Sequence, residues 1–156
     1  MVAIHIITVG RDKKRWVTEQ IEHYRKLLSK YARLEITSVP EDKYGASADI
    51  PKSLAREAKI IKSRLKGGYL VALDIEGRSF GTEAFAGELR QLQAGGVSRF
   101  DFIIGGPYGL DDSLKNKADL RLSLSPLTMS HQIVRLVLLE QLYRVFNINA
   151  EGSYHK

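Results

Sequence analysis

Residues 69–75 (Tyr-Leu-Val-Ala-Leu-Asp-Ile) form an almost unbroken apolar run, released by Gly67 and Gly68. A run like this has no polar face to offer to water, so it belongs in the middle of a parallel sheet with both faces covered. The rest of the chain alternates in a way that supplies the cover. Residues 3–9 predict a first strand, and residues 14–31 a helix in which Val17, Ile21, Tyr24, Leu28 and Tyr31 recur at helical spacing. Residues 33–39 alternate with period two and stop at Pro40. After a polar loop over residues 41–51, Ser53 is the expected cap of a helix to Lys66, with Leu54, Ala58, Ile61 and Leu65 inward and Arg56, Lys59, Lys62 and Lys66 outward. A turn through Gly77 and Gly81 leads to a helix over residues 82–93, Gly95 and Gly96 close it, and residues 100–104 predict the next buried strand. Strand and helix in strict alternation make an α/β fold, a mostly parallel sheet with helices on both faces. At 156 residues the chain holds one domain with a real core, here residues 1–156.

Composition narrows the chemistry. The chain has no cysteine, which removes disulfides, thiolate catalysis and cysteine-ligated metal together, and its four histidines show no metal spacing. The richest apolar segment, residues 133–146, is interrupted by Arg135, Glu140, Gln141 and Arg144, so no membrane helix is expected. The N-terminal segment reads as a strand without a basic head or cleavage site, and the expectation is a cytoplasmic protein. Residues 1–66 carry 15 Lys or Arg against 8 Asp or Glu, whereas residues 67–156 carry 9 against 10. The basic excess is therefore N-terminal, and the outward stripe of the second helix makes a candidate ridge for phosphates. A solvated helix face is the plainer reading of that stripe.

The C-terminal third carries the candidate site. A strand ends in the elbow Gly105, Gly106, Pro107, Tyr108 and Gly109, and a second strand runs into residues 124–129 (Leu-Ser-Pro-Leu-Thr-Met). Ligands of open α/β sheets sit outside the carboxyl ends of strands, where backbone groups are left unpaired. The glycines fit neither the dinucleotide fingerprint nor a phosphate loop. Side-chain-free backbone at the elbow admits a ligand closely, although the same glycines also serve a plain tight turn. The last helix is apolar nearly all round, which calls for cover on more than one side and points to a homodimer through it.

Taken together, Leu73 and Asp74, residues 103–107 (Ile-Ile-Gly-Gly-Pro), residues 122–129 (Leu-Ser-Leu-Ser-Pro-Leu-Thr-Met), His131, residues 134–136 (Val-Arg-Leu), residues 140–144 (Glu-Gln-Leu-Tyr-Arg) and the terminal Tyr154 and His155 resemble the ribosomal large-subunit methyltransferase H family. The resemblance spans the whole chain. It implies a SPOUT methyltransferase with a deep trefoil knot in its C-terminal part, a homodimer that takes S-adenosyl-L-methionine and methylates N3 of a pseudouridine in large-subunit rRNA or the ribosome. By position it implies cofactor contacts at Leu73, Gly105, Leu124, Ser125, Pro126, Leu127, Thr128 and Met129. It implies no metal.

Methyl transfer from a sulfonium to a ring nitrogen needs two partners held in line and one weakly acidic proton removed. His155, Tyr154, Arg135 and His131 are the groups expected to serve. Histidine as a residue type exchanges a proton near neutral pH, which makes His155 of the tail a candidate, Tyr154 offers a face for a base, and Arg135, alone on an apolar helix, requires a phosphate or carboxylate partner. His131 stands near a helix start, where a capping or dimer contact competes with catalysis. The rival expectation is a non-catalytic basic α/β module bound to RNA or the ribosome.

Overall fold

The computed structural model describes residues 1–153. Strands β1 (Val2–Val9), β2 (Ala32–Val39), β3 (Tyr69–Ser79), β4 (Arg99–Ile104) and β5 (Leu120–Ser123) alternate with helices α1 (Arg15–Leu28), α2 (Ile50–Arg64), α3 (Thr82–Ala94), α4 (Asp112–Lys117) and α5 (His131–Asn149). The described strands form one sheet in the order β2-β1-β4-β3-β5, with every neighbouring pair parallel. Strand periodicity splits the core in two. Val2, Ile4, Ile6, Phe100 and Phe102 meet Leu28, Leu89, Leu138 and Leu142 of α1, α3 and α5. Ile7, Val9, Ile103 and Ala72 meet Ala58, Ile61 and Leu114 of α2 and α4 on the other face.

Two polar residues sit inside these apolar strands as a facing pair. His5 of β1 faces Asp101 of β4 at 3.3 Å, both 1% exposed, and its other ring nitrogen lies 2.9 Å from the Thr37 hydroxyl. The second Asp101 oxygen accepts the Lys66 and Gly68 N–H groups, each at 3.0 Å. A buried carboxylate thus pins the turn that launches β3, and Gly67 makes that turn with φ of 74°.

Some expected boundaries move. The second helix begins at Ile50, not at Ser53, because Asp49 caps it by accepting the Lys52 N–H at 3.2 Å and Pro51 suits its first turn. Ser53 is buried within it. The outward cations of α2 are largely spent inside the chain: Arg56 pairs with Asp42, Lys66 with Glu35, and Lys62 donates to the Ser113 hydroxyl. Of that ridge only Lys59 stands outside these bonds. Helix α4 was not expected, and β3 runs past residue 75 to Ser79 through an excursion. Leu73 and Arg78 both pair with Leu122, so residues 74–77 loop out of the ladder.

Candidate active site

Strand order builds the site. Because β3 lies between β4 and β5, its excursion at residues 74–77 is flanked by the loops that leave those two strands. Three loops at carboxyl ends enclose a cavity of about 680 Å³, within the size range of small-molecule sites. Leu73, Ile104, Leu110, Leu122, Leu124, Leu127, Met129 and Val134 give it apolar walls. Asp74, Glu76, Lys115, Ser125, Thr128, Ser130 and His131 give it polar groups, and Gly105, Gly106 and Gly109 give it bare backbone.

The elbow closes on itself. Gly109 donates its N–H to the Gly106 carbonyl at 3.0 Å and has φ of 77°. A side chain on Gly105 would fall on the Gly109 carbonyl, so the glycine is needed for the turn itself, and it also lines the cavity. Gly77 does the same for β3, since a Cβ there would stand 2.6 Å from the Arg121 carbonyl.

Asp74 is the best-held carboxylate of the cavity. It accepts from the Arg121 Nε at 2.8 Å and the Glu76 N–H at 3.1 Å, with Lys115 at 3.9 Å. Burial opposes its ionisation, but the Arg121 bond, the Glu76 N–H and Lys115 outweigh that and hold its carboxyl below the usual aspartate range. Asp74 is therefore held ionised, with its charge balanced by Arg121 and Lys115. Tyr108 stands at the rim, 51% exposed, with its ring 4.6 Å from that of Tyr44. The Tyr44 hydroxyl donates to the buried Glu57, and burial with that carboxylate nearby pushes the Tyr44 pKa up. The pair is a braced aromatic rim.

Of the residues expected at a cofactor, Leu73, Gly105, Leu124, Ser125, Leu127, Thr128 and Met129 line the cavity, and Pro126 does not. Of the expected catalytic groups, His131 lines it as the first residue of α5, and the helix cap is Ser130, which accepts the Ile133 N–H at 3.4 Å. Arg135 is elsewhere. It is 3% exposed, donates to the Val9 and Gly10 carbonyls at 2.8 and 3.1 Å, and forms an ion pair with Asp12. Its partner is a carboxylate of the same chain. Tyr154 and His155 lie outside the described residues. Among the described residues no group of three or more His, Cys, Asp or Glu could hold a metal ion, and no helix is long and apolar enough to cross a membrane. Sequence reasoning missed the polar side of the cavity, Glu76 and Lys115, because a strand excursion brings them together and has no local signature.

The family model described as "Predicted SPOUT methyltransferase" matches residues 2–155. A relative from Natranaerobius thermophilus named ribosomal RNA large subunit methyltransferase H is 42% identical over 156 residues, covering 96% of this chain and 97% of its own. One of the same name from Desulforamulus reducens is 40% identical over 160 residues, covering 100% of each chain. In fold, the chain is similar to the crystal structure of tRNA (m1G37) methyltransferase from Aquifex aeolicus, with a TM-score of 0.54 and 15% identity over 92% of this chain and 70% of that one. The chain belongs to the SPOUT methyltransferase family, beside the relatives named ribosomal RNA large subunit methyltransferase H.

Proposed function

We propose that this protein methylates N3 of a pseudouridine in large-subunit ribosomal RNA with S-adenosyl-L-methionine as methyl donor. The observation that carries the reading is the three-loop cavity, in a chain whose full-length relatives are named for ribosomal RNA methylation. The cavity suits the donor chemically. Apolar walls at Leu122, Leu124, Leu127 and Met129 suit adenine, backbone at residues 105–109 suits its ring edges and ribose, and the carboxylate of Glu76 suits its cationic end. When bound, the donor supplies an electrophilic methyl group on sulfur.

The remaining work falls to the chain. Leu73, Gly105, Leu124, Ser125, Leu127, Thr128 and Met129 hold the donor, and His131 at the cavity rim, with Tyr154 and His155 of the tail, orient the base and accept its N3 proton. We assign Arg135 a positioning role, since its guanidinium is spent on β1 and Asp12. The single domain spans residues 1–156, acts in the cytoplasm on rRNA or the ribosome, and threads its C-terminal part as a trefoil knot. The crossing of β4 to β5 over β3, with both loops closing one cavity, supports that threading.

A homodimer through α5 belongs to the same reading. One face of α5 packs Leu138, Leu139, Leu142 and Val145 into the core, while Ile133 on the opposite face stays 38% exposed. In that dimer the tail, Tyr154 and His155, serves the cavity of the partner.

Calorimetry with S-adenosyl-L-methionine tests the reading against a non-catalytic RNA-binding module. Saturable binding that is lost on blocking the cavity with Thr128→Arg is expected, and no binding by folded protein would sink it.

A further inference from the structure

The segment that leaves β1 and opens α1 reads Gly-Arg-Asp-Lys-Lys-Arg-Trp over residues 10–16, with Arg15 and Trp16 in the first turn of the helix. Arg11, Lys13, Lys14 and Arg15 are all exposed, and Trp16 keeps 47% of its surface exposed. Asp12, its one carboxylate, is consumed by Arg135, and Arg15 pairs with Glu19 on the surface. The segment is therefore a concentrated, uncompensated positive charge beside a large exposed aromatic ring.

The segment also stands next to the cavity. It leaves β1 at Val9, against which Gly106 of the elbow packs: a Cβ on Gly106 would be 3.2 Å from the Val9 side chain. Its first residues are clamped by Arg135 through the Val9 and Gly10 carbonyls and Asp12. Arg135 lies one helical turn beyond His131, which lines the cavity. The clamp thus fixes a basic, aromatic-ended loop at a set distance from the site of chemistry.

We infer that residues 11–16 are a docking surface for the RNA substrate, with Arg11, Lys13 and Lys14 meeting phosphates and Trp16 stacking on an unpaired base beside the target nucleotide. The inference rests on the reading of the protein as an rRNA methyltransferase. Charge decides between RNA and a second copy of the chain. A two-fold interface at this loop would set two clusters of cations against each other, whereas a polyanion relieves their repulsion. Exposed indole beside such cations suits unpaired bases, which are held by stacking on aromatic rings.

The test compares wild type, a triple Arg11→Ala, Lys13→Ala, Lys14→Ala variant, Trp16→Ala, Trp16→Phe, and a control with Lys26, Lys30 and Lys117 changed to Ala. Binding to labelled large-subunit rRNA is followed across salt concentrations, with S-adenosyl-L-methionine affinity, methyl transfer and sedimentation measured beside it. The triple variant is expected to flatten the salt dependence by about 2 to 3 in logarithmic slope. Trp16→Ala is expected to weaken binding about tenfold with the slope kept, Trp16→Phe to recover most of it, and the control to change little. Donor affinity stays unaltered throughout. Variants that bind rRNA as wild type does overturn the inference. So does dissociation of the dimer by Trp16→Ala, which would make the loop a contact between copies, and so does an equal loss in the control. Wild type that binds rRNA through this loop yet transfers no methyl group sinks the enzymatic reading alone and leaves the docking surface standing.

Discussion

Arg135→Leu separates positioning from chemistry. In the native chain the guanidinium is 3% exposed and holds the Val9 and Gly10 carbonyls and the Asp12 carboxylate, whose side chain is 10% exposed. Leucine leaves that carboxylate desolvated without a counter-charge and two carbonyls without a donor. Removing one partner of a buried ion pair costs about 3–5 kcal/mol, because the other charge is stranded. For a chain of this length each kcal/mol lowers the melting temperature by about 2–4 °C, so a fall of roughly 6–20 °C is expected. The double variant Arg135→Leu, Asp12→Leu strands no charge and should recover most of that loss. Thermal unfolding followed by circular dichroism supplies the numbers. Well below its melting point the single variant should still bind S-adenosyl-L-methionine, since Arg135 is not among the cavity-lining residues, while rRNA binding falls as the basic loop loosens. Native stability together with complete loss of methyl transfer would refute the clamp and return Arg135 to the reacting atoms.

Three further outcomes are expected. Gly105→Ala should cost about 1–3 kcal/mol and weaken donor binding, because its Cβ meets the Gly109 carbonyl and opens the elbow; an unchanged melting temperature would show that the turn tolerates a side chain. Asp74 has its pKa held below the unfolded value of 3.8, so the stability it contributes is present above that pH and is lost as pH falls through the lower folded value. The stability gap between wild type and Asp74→Asn should therefore be widest at neutral pH and close below pH 3.8, and a gap independent of pH would contradict the assignment. Deleting residues 153–156 should leave donor binding intact and abolish methyl transfer, and mixing that chain with Thr128→Arg should restore activity through heterodimers; inactive mixed dimers would place the tail in its own subunit's site.

Local pattern made much of this molecule legible. Residues 69–73 belong inside a covered sheet, and β3 does lie between β4 and β5, but Ile75, expected in the same buried run, is 47% exposed in the excursion. The elbow glycines and the segment 124–129 fall at the carboxyl ends of β4 and β5, on either side of β3. What was hidden depends on partners far away in sequence. The excursion at residues 74–77 exists because Leu73 and Arg78 share Leu122, and no feature of residues 69–79 alone announces it. The basic stripe of α2 looked free because Asp42, Glu35 and Ser113, its partners, come from other elements. Arg135 on an apolar helix demanded a partner, but that the partner was Asp12 only the fold supplied. The place of Tyr108 at the rim depends on Tyr44, braced by Glu57, from a loop distant in sequence.

Transfer of a labelled methyl group from S-adenosyl-L-methionine to large ribosomal subunits whose pseudouridines lack N3 methylation, with the product mapped by mass spectrometry, tests the central claim most directly. The account predicts one methyl group per large-subunit rRNA, on N3 of a pseudouridine, absent when the cavity is blocked by Thr128→Arg. Label on another nucleotide or another atom, or label that survives the blocked cavity, would contradict it.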